Sequence, residues 1–205
     1  MIDVYAYGTG NGFRACIALA ECELEHNVHK VDLAKGDNTT PEFLKMNPLG
    51  SIPVIVDHDG PDGKSLSISQ SASIVLYAAE KSGRFLPSSG EARTLALQWL
   101  MFNASDIAGT NNAIFMATMR APEKVPAVIE FFEERLYGLF GDVDERLDEV
   151  EYLAGDISVA DLALYPFVAL RKSLLEGREP LTNLLRWVDV MAGRPGVAKG
   201  MAAFS

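Results

Sequence analysis

The run Asn47-Pro48-Leu49-Gly50-Ser51-Ile52-Pro53-Val54-Ile55-Val56-Asp57 sets a proline at the head of a β-branched apolar stretch, and it constrains the fold more than any other part of the chain. Proline cannot donate to a β ladder, so inside a sheet it is confined to an edge, a bulge or the first residue of a strand. Here it opens one. A cis Ile52-Pro53 bond would turn the N–H and C=O of Ile52 outward, where an extended peptide could pair with them as an added strand, whereas a trans bond would only start the strand. Further along, Leu66 to Tyr77 changes from alternation at period two to helical spacing at Ile74, Leu76, Tyr77 and Glu80, with the switch at Gln70-Ser71. Free N–H groups and the positive dipole end of a helix start favour an anion, and hydroxyl and amide side chains add hydrogen bonds. Such a start suits a carboxylate; its plainer reading is an N-cap serine.

Ile2 to Tyr7 alternates and is rich in strand formers, Gly8-Thr9-Gly10-Asn11-Gly12 breaks the pattern, and Phe13 to Glu21 has helical spacing. The glycines do not fit the G-x-G-x-x-G spacing of a dinucleotide loop. Asn27 to Leu33 reads as a second strand and residues 34–40 as a polar loop. Pro41 to Met46 reads as a short helix with Thr40 as N-cap and proline at its first position. Residues 2–82 therefore run strand, helix, strand, helix, strand, strand, helix. Ser82 to Gly90 is rich in Gly, Pro and Ser and marks a domain boundary. Beyond it strand patterns vanish: Glu91 to Arg120 and Pro122 to Val150 read as long helices, the first with a kink expected at Gly109-Thr110. Ile157-Ser158-Val159-Ala160-Asp161-Leu162 is a capping box that opens an apolar helix to about Leu175, and Asn183 to Ala192 reads as another helix.

Several functions are disfavoured. The 205 residues carry a formal net charge of −10, where nucleic acid and anionic membranes select clustered Lys and Arg. No stretch has membrane-spanning length without charge, and the start lacks the basic and apolar regions of a signal peptide. Cys16 and Cys22 share one expected helix at a spacing too long for a good disulfide, which suits a reducing cytoplasm. With His26 and His29 they match no usual zinc spacing, so no metal is expected.

Ile-Pro-Val, a short strand and Gln-Ser opening a helix together resemble the glutathione site of the glutathione transferase family. In that family the residue before a cis proline pairs with the cysteinyl backbone of glutathione, and the Gln/Glu-Ser pair holds its γ-glutamyl end. The resemblance carries these roles to Ile52, Pro53, Gln70 and Ser71. Thr-x-Asn after the first strand, Pro-Glu-Phe-Leu at 41–44 and Asn-Pro at 47–48 look most like the bacterial Nu class. That implies that Thr9 and Asn11 face the glutathione sulfur and that Asn38 assists the glycyl end. Tyr7 is the rival catalyst, because other classes use a tyrosine from the end of the first strand. Gly10 stands where Nu-class members usually carry proline, which loosens the loop. Ser51 stands where a basic residue often meets the glycyl carboxylate, which replaces a charge-assisted bond by a neutral one.

The resemblance covers nearly the whole chain. It implies an α/β thioredoxin-like βαβαββα domain over 1–82, a linker over 83–90 and an all-α domain over 91–205. No Cys-x-x-Cys lies in the first helix, so dithiol chemistry of the thioredoxin kind is absent and Cys16 reads as a buried thiol. Phe13, Phe115, Met116 and Met119 are expected to line an apolar pocket for the second substrate, because Met-rich surfaces adapt to varied ligands. The implied protein is a cytoplasmic homodimeric enzyme. Its co-substrate is glutathione, and its thiolate acts on an apolar electrophile or, preferably, a small disulfide. A transferase-fold binding or regulatory module is the alternative that Gly10 and Ser51 keep open, and an isomerase or dehalogenase on the same fold is a third.

Overall fold

The computed structural model describes residues 1–205, which divide into two compact units: Met1–Leu86 with Ala192–Ser205, and Pro87–Met191. In unit 1 the chain runs β1 (Ile2–Ala6), α1 (Gly10–Glu21), β2 (His26–Lys30), α2 (Pro41–Met46), β3 (Val54–Asp57), β4 (Leu66–Ser69) and α3 (Ser71–Ser82). This is the expected βαβαββα order of a thioredoxin-like domain. The four strands lie in the order β2-β1-β3-β4, with β2 parallel to β1, and β3 antiparallel to both β1 and β4. Alternation sets the faces: Ile2, Val4 and Ala6 are buried, and the intervening Tyr5 packs with Val31, Phe43 and Val54 on the α2 side. The second strand stops at Lys30 rather than Leu33, because the chain leaves the ladder after the Val31 N–H donates to the Ala6 carbonyl at 2.8 Å.

Register brings three sequence-distant segments to one end of this sheet. Val54 pairs with Tyr5 on one side and with Ser69 on the other. Residues 7–11, Ile52-Pro53 and Gln70-Ser71 therefore all follow or precede the paired strands at the same edge.

The C-terminal residues join unit 1, where the division at 91–205 had them in the helical domain. Helix α10 (Pro195–Met201) packs on α1 through glycines: a Cβ on Gly200 would lie 2.6 Å from the Ile17 Cα, and one on Gly196 would lie 2.7 Å from Glu21. The buried Glu21 carboxylate accepts from the Val197 N–H at 3.1 Å and from Arg194 Nη2 at 2.5 Å. Phe204 then meets the Phe13 ring edge-on, centroids 5.4 Å apart.

Unit 2 is helical: α4 (Gly90–Phe102), α5 (Ala108–Phe115), α6 (Pro126–Glu149), α7 (Val159–Ala169), α8 (Lys172–Leu175) and α9 (Thr182–Ala192). α4 and α5 join through a wide π turn at Asn103–Ile107, and a second such turn follows at Met116–Arg120. The break in regularity thus falls ahead of the expected Gly109-Thr110. α6 begins at Pro126, not Pro122, with proline in its first position. The capping box forms, with Asp161 Oδ2 accepting the Ser158 N–H at 2.9 Å. Asp161 Oδ1 also accepts from Trp187 Nε1 at 3.0 Å and from the Leu153 N–H at 3.1 Å, which ties α7 to α9. The helix expected to reach Leu175 stops at Ala169, where the Leu170 N–H turns back to the Pro166 and Val168 carbonyls. No helix is long and apolar enough to cross a membrane.

Candidate functional site

Thr9 and Asn11 stand at the start of α1. The Thr9 Oγ1 accepts the Gly12 N–H at 3.1 Å and its carbonyl accepts the Phe13 N–H at 2.9 Å, so Thr9 caps the helix in extended geometry. A cap oxygen used as acceptor leaves its own proton available to a ligand. Gly12 is required by close approach, since a Cβ there would lie 2.0 Å from the Tyr7 carbonyl oxygen. Tyr7 itself lies under Lys30, whose ammonium is 5.5 Å from the ring centroid.

Gln70 and Ser71 open α3. Gln70 is the N-cap at φ 72° and ψ 111°, a region that non-glycine residues rarely adopt. Ser71 is buried, and its Oγ both accepts from Arg14 Nη1 at 2.9 Å and donates to Asn11 Oδ1 at 2.9 Å. That bond joins the first turns of α1 and α3, so two helix N-termini converge on one spot and their orphan N–H groups and dipole ends favour negative charge there. Arg14 adds a cation: it is 1% exposed, and burial pushes its guanidinium down to about 9, still protonated at neutral pH. The sequence reading missed Arg14. Its only signal was a charge one turn after Asn11, followed by the apolar run Ala15 to Ala20.

The Ile52-Pro53 bond is cis, and Ile52 lies just ahead of β3 with its N–H and C=O outside the ladder hydrogen bonds. Asn38, in a tight turn at Asp37–Thr39, donates one amide N–H to the Gly50 carbonyl at 2.7 Å. It braces the loop that carries Ser51, and its Oδ1 and second N–H remain for a ligand. The Ser51 hydroxyl and carbonyl both accept from Asn47 Nδ2, at 3.1 and 2.8 Å. The sequence-expected residues Thr9, Asn11, Ile52, Pro53, Gln70 and Ser71 thus gather at one end of the sheet.

The four residues expected to line an apolar pocket fall on different units. Phe13 packs on Phe204 in unit 1. Phe115, Met116 and Met119 are on unit 2, with Met119 68% exposed. Cys16 is buried, and burial pushes its thiol up to about 12, so it is no nucleophile at neutral pH.

Residues 11–81 match the family model described as glutathione S-transferase, N-terminal domain. The chain is similar to the disulfide-bond oxidoreductase YfcG of Escherichia coli, 37% identical over 170 residues, which span 82% of this chain and 79% of the relative. Among solved structures it resembles a glutathione transferase from Pseudomonas putida with one glutathione disulfide bound per subunit, at TM-score 0.89 and 28% identity over 98% of this chain and 90% of that one. A glutathione transferase from Burkholderia graminis with two glutathione molecules bound per subunit has TM-score 0.89 at 30% identity, over 98% of this chain and 87% of that one.

Proposed function

The chain belongs to the glutathione S-transferase superfamily, and from that premise we propose that it is a glutathione-dependent disulfide-bond oxidoreductase. The observation that carries this reading is the Ser71–Asn11 hydrogen bond, which joins two helix N-termini beside the unpaired edge at Ile52. A peptide with a carboxylate at one end and a thiol in its middle fits that arrangement. Its γ-glutamyl carboxylate meets the N–H groups of the α3 start at Gln70 and Ser71. Its cysteinyl backbone pairs with the N–H and C=O of Ile52, and its sulfur comes to Thr9 and Asn11. Donors and dipole at the α1 start favour the thiolate, the form that attacks disulfides.

The chemistry is two exchanges. A glutathione thiolate attacks one sulfur of a small disulfide R–S–S–R, forming the mixed disulfide and expelling RS⁻, which takes a proton. A second glutathione thiolate attacks the glutathione sulfur of the mixed disulfide, giving glutathione disulfide and the second RS⁻. The substrate disulfide gains the two electrons that the two glutathione molecules lose. The protein lowers the barrier by holding sulfur as thiolate; a donor worth about 1.4 kcal/mol to the anion raises its thiolate fraction about tenfold below the pKa. The similarity to YfcG and to a structure holding glutathione disulfide supports this subtype over transfer to a carbon electrophile. A homodimer in the cytoplasm is part of the same reading, and sedimentation at twice 22.3 kDa would bear out the dimer.

The test is calorimetric titration with glutathione and, separately, glutathione disulfide, together with reduction of hydroxyethyl disulfide. Binding that is lost in Ser71→Ala and a reductase rate that falls at least tenfold in Asn11→Ala support the proposal. No binding of either ligand removes it in favour of a binding or regulatory module.

A further inference from the structure

Arg14 has no place in the chemistry above, yet it is a buried cation in hydrogen-bond contact with that site. Arginine carries only donors, so the Ser71 Oγ is the acceptor of the Arg14–Ser71 bond. The Ser71 hydroxyl has one proton, and within unit 1 its bonded acceptor is Asn11 Oδ1. A buried hydroxyl proton without an acceptor costs free energy. Turning the Asn11 amide over would strand that proton and would set two N–H donors from Arg14 and Asn11 against one oxygen. The donor order therefore runs from Arg14 to Ser71 to Asn11. It leaves the Asn11 NH2 group directed away from Ser71 and free to donate to a ligand.

We propose that Arg14 is a positioning residue that acts through Ser71 to fix the Asn11 amide with its NH2 toward the glutathione sulfur. The inference rests on the proposed glutathione site, and it names what makes Asn11 a thiolate donor and not an acceptor. An asparagine side chain can present either face at similar intrinsic energy. Set wrongly, its oxygen would repel the thiolate. Arg14 removes that choice before the ligand arrives, so no reorientation is needed when the sulfur ionises.

The test is a double-mutant cycle read as the pKa of glutathione bound to the enzyme, followed by thiolate absorbance against pH. Expected are about a tenfold loss in thiolate fraction at neutral pH for Asn11→Ala, a similar loss for Arg14→Met, rescue in Arg14→Lys, and no further loss when Arg14→Met is added to Asn11→Ala. Additive losses would show that the cation acts on the sulfur through space, and an unchanged Arg14→Met would show no action; either result overturns the proposal. A second measurement needs no change at Arg14. In the isotope-labelled wild type, the Asn11 side-chain NH2 signal, identified by its loss in Asn11→Ala, should shift with the midpoint of the bound thiol. A signal that ignores the thiol overturns the inference even if Arg14→Met fails to fold. Absence of glutathione binding to the wild type would instead remove the underlying site.

Discussion

Thr9 and Gly10 show how closely single residues decide this site. Thr9 caps α1 in an extended conformation at φ −122° and ψ 163°, and Gly10 follows in the first helical position. That is the backbone a proline at position 10 would demand, because proline restricts the preceding residue to extended geometry and is suited to the first helical turn. Gly10→Pro is therefore expected to stabilise the chain by about 0.5–1 kcal/mol through the unfolded state, with disulfide reductase activity retained. Urea unfolding together with the hydroxyethyl disulfide assay checks it, and a loss of stability would mean that the buried site has no room for the ring. Gln70 makes the opposite case. Its φ of 72° is a strained conformation for a residue with a side chain, and its position opens the helix beside Ser71. Gln70→Gly should gain about 1 kcal/mol of stability while glutathione affinity falls about tenfold, the mark of strain held for binding. A variant that binds glutathione as the wild type does would remove the Gln70 side chain from the site.

Elements are held together by polar clamps as well as by the core, and one of them titrates. Asp3 on β1 accepts from His29 of β2 at 2.9 Å and from His58, just past β3, at 2.7 Å. These bonds, with that to His29 first among them, hold the Asp3 carboxyl down to about 2. An unfolded aspartate titrates near 4, so the folded state binds fewer protons between those values. The contribution of Asp3 is fully present above about pH 4 and is lost as pH falls toward about 2. The stability difference between wild type and Asp3→Asn should accordingly shrink over that window in urea unfolding at stepped pH, and a difference independent of pH would show the clamp to be without weight. The order of elements was legible in the sequence because its signals are local: the glycine break at 8–12, Thr40-Pro41, and the change of period at Gln70-Ser71. Boundaries set by a single distant or backward bond were not. β2 ends where the Val31 N–H takes the Ala6 carbonyl, and α7 ends where Leu170 turns back on Pro166, although the apolar pattern runs on to Leu175. Arg14 was equally illegible as a site residue, because its meaning lies in Ser71, far along the chain.

At the scale of the whole molecule, unit 1 is made from both ends of the chain, and nothing in local periodicity announced it. Helix α10 has glycines where its neighbour comes closest, and a missing side chain leaves no apolar pattern to read. Yet Gly200 lies so near Ile17 that a Cβ would be 2.6 Å from its Cα, and Glu21, 5% exposed, finds the Val197 N–H on the same helix and Arg194 at its N-cap. A chain ended after Met191 would keep every strand and every proposed glutathione contact. It would also uncover α1 and leave the Glu21 carboxylate without its partners. Breaking a largely buried ion pair from one side costs about 3–5 kcal/mol, a large part of the stability of an ordinary domain. The shortened chain is therefore expected to lose cooperative unfolding of unit 1 and glutathione binding together, read by urea titration with near-ultraviolet dichroism and by calorimetry. Gly200→Ala should produce a smaller loss of the same kind by forcing α10 off Ile17. If the shortened chain instead bound glutathione with wild-type affinity, α10 would be an ornament on a domain already complete without it, and the convergence of α1 and α3 would stand on residues 1–86 alone.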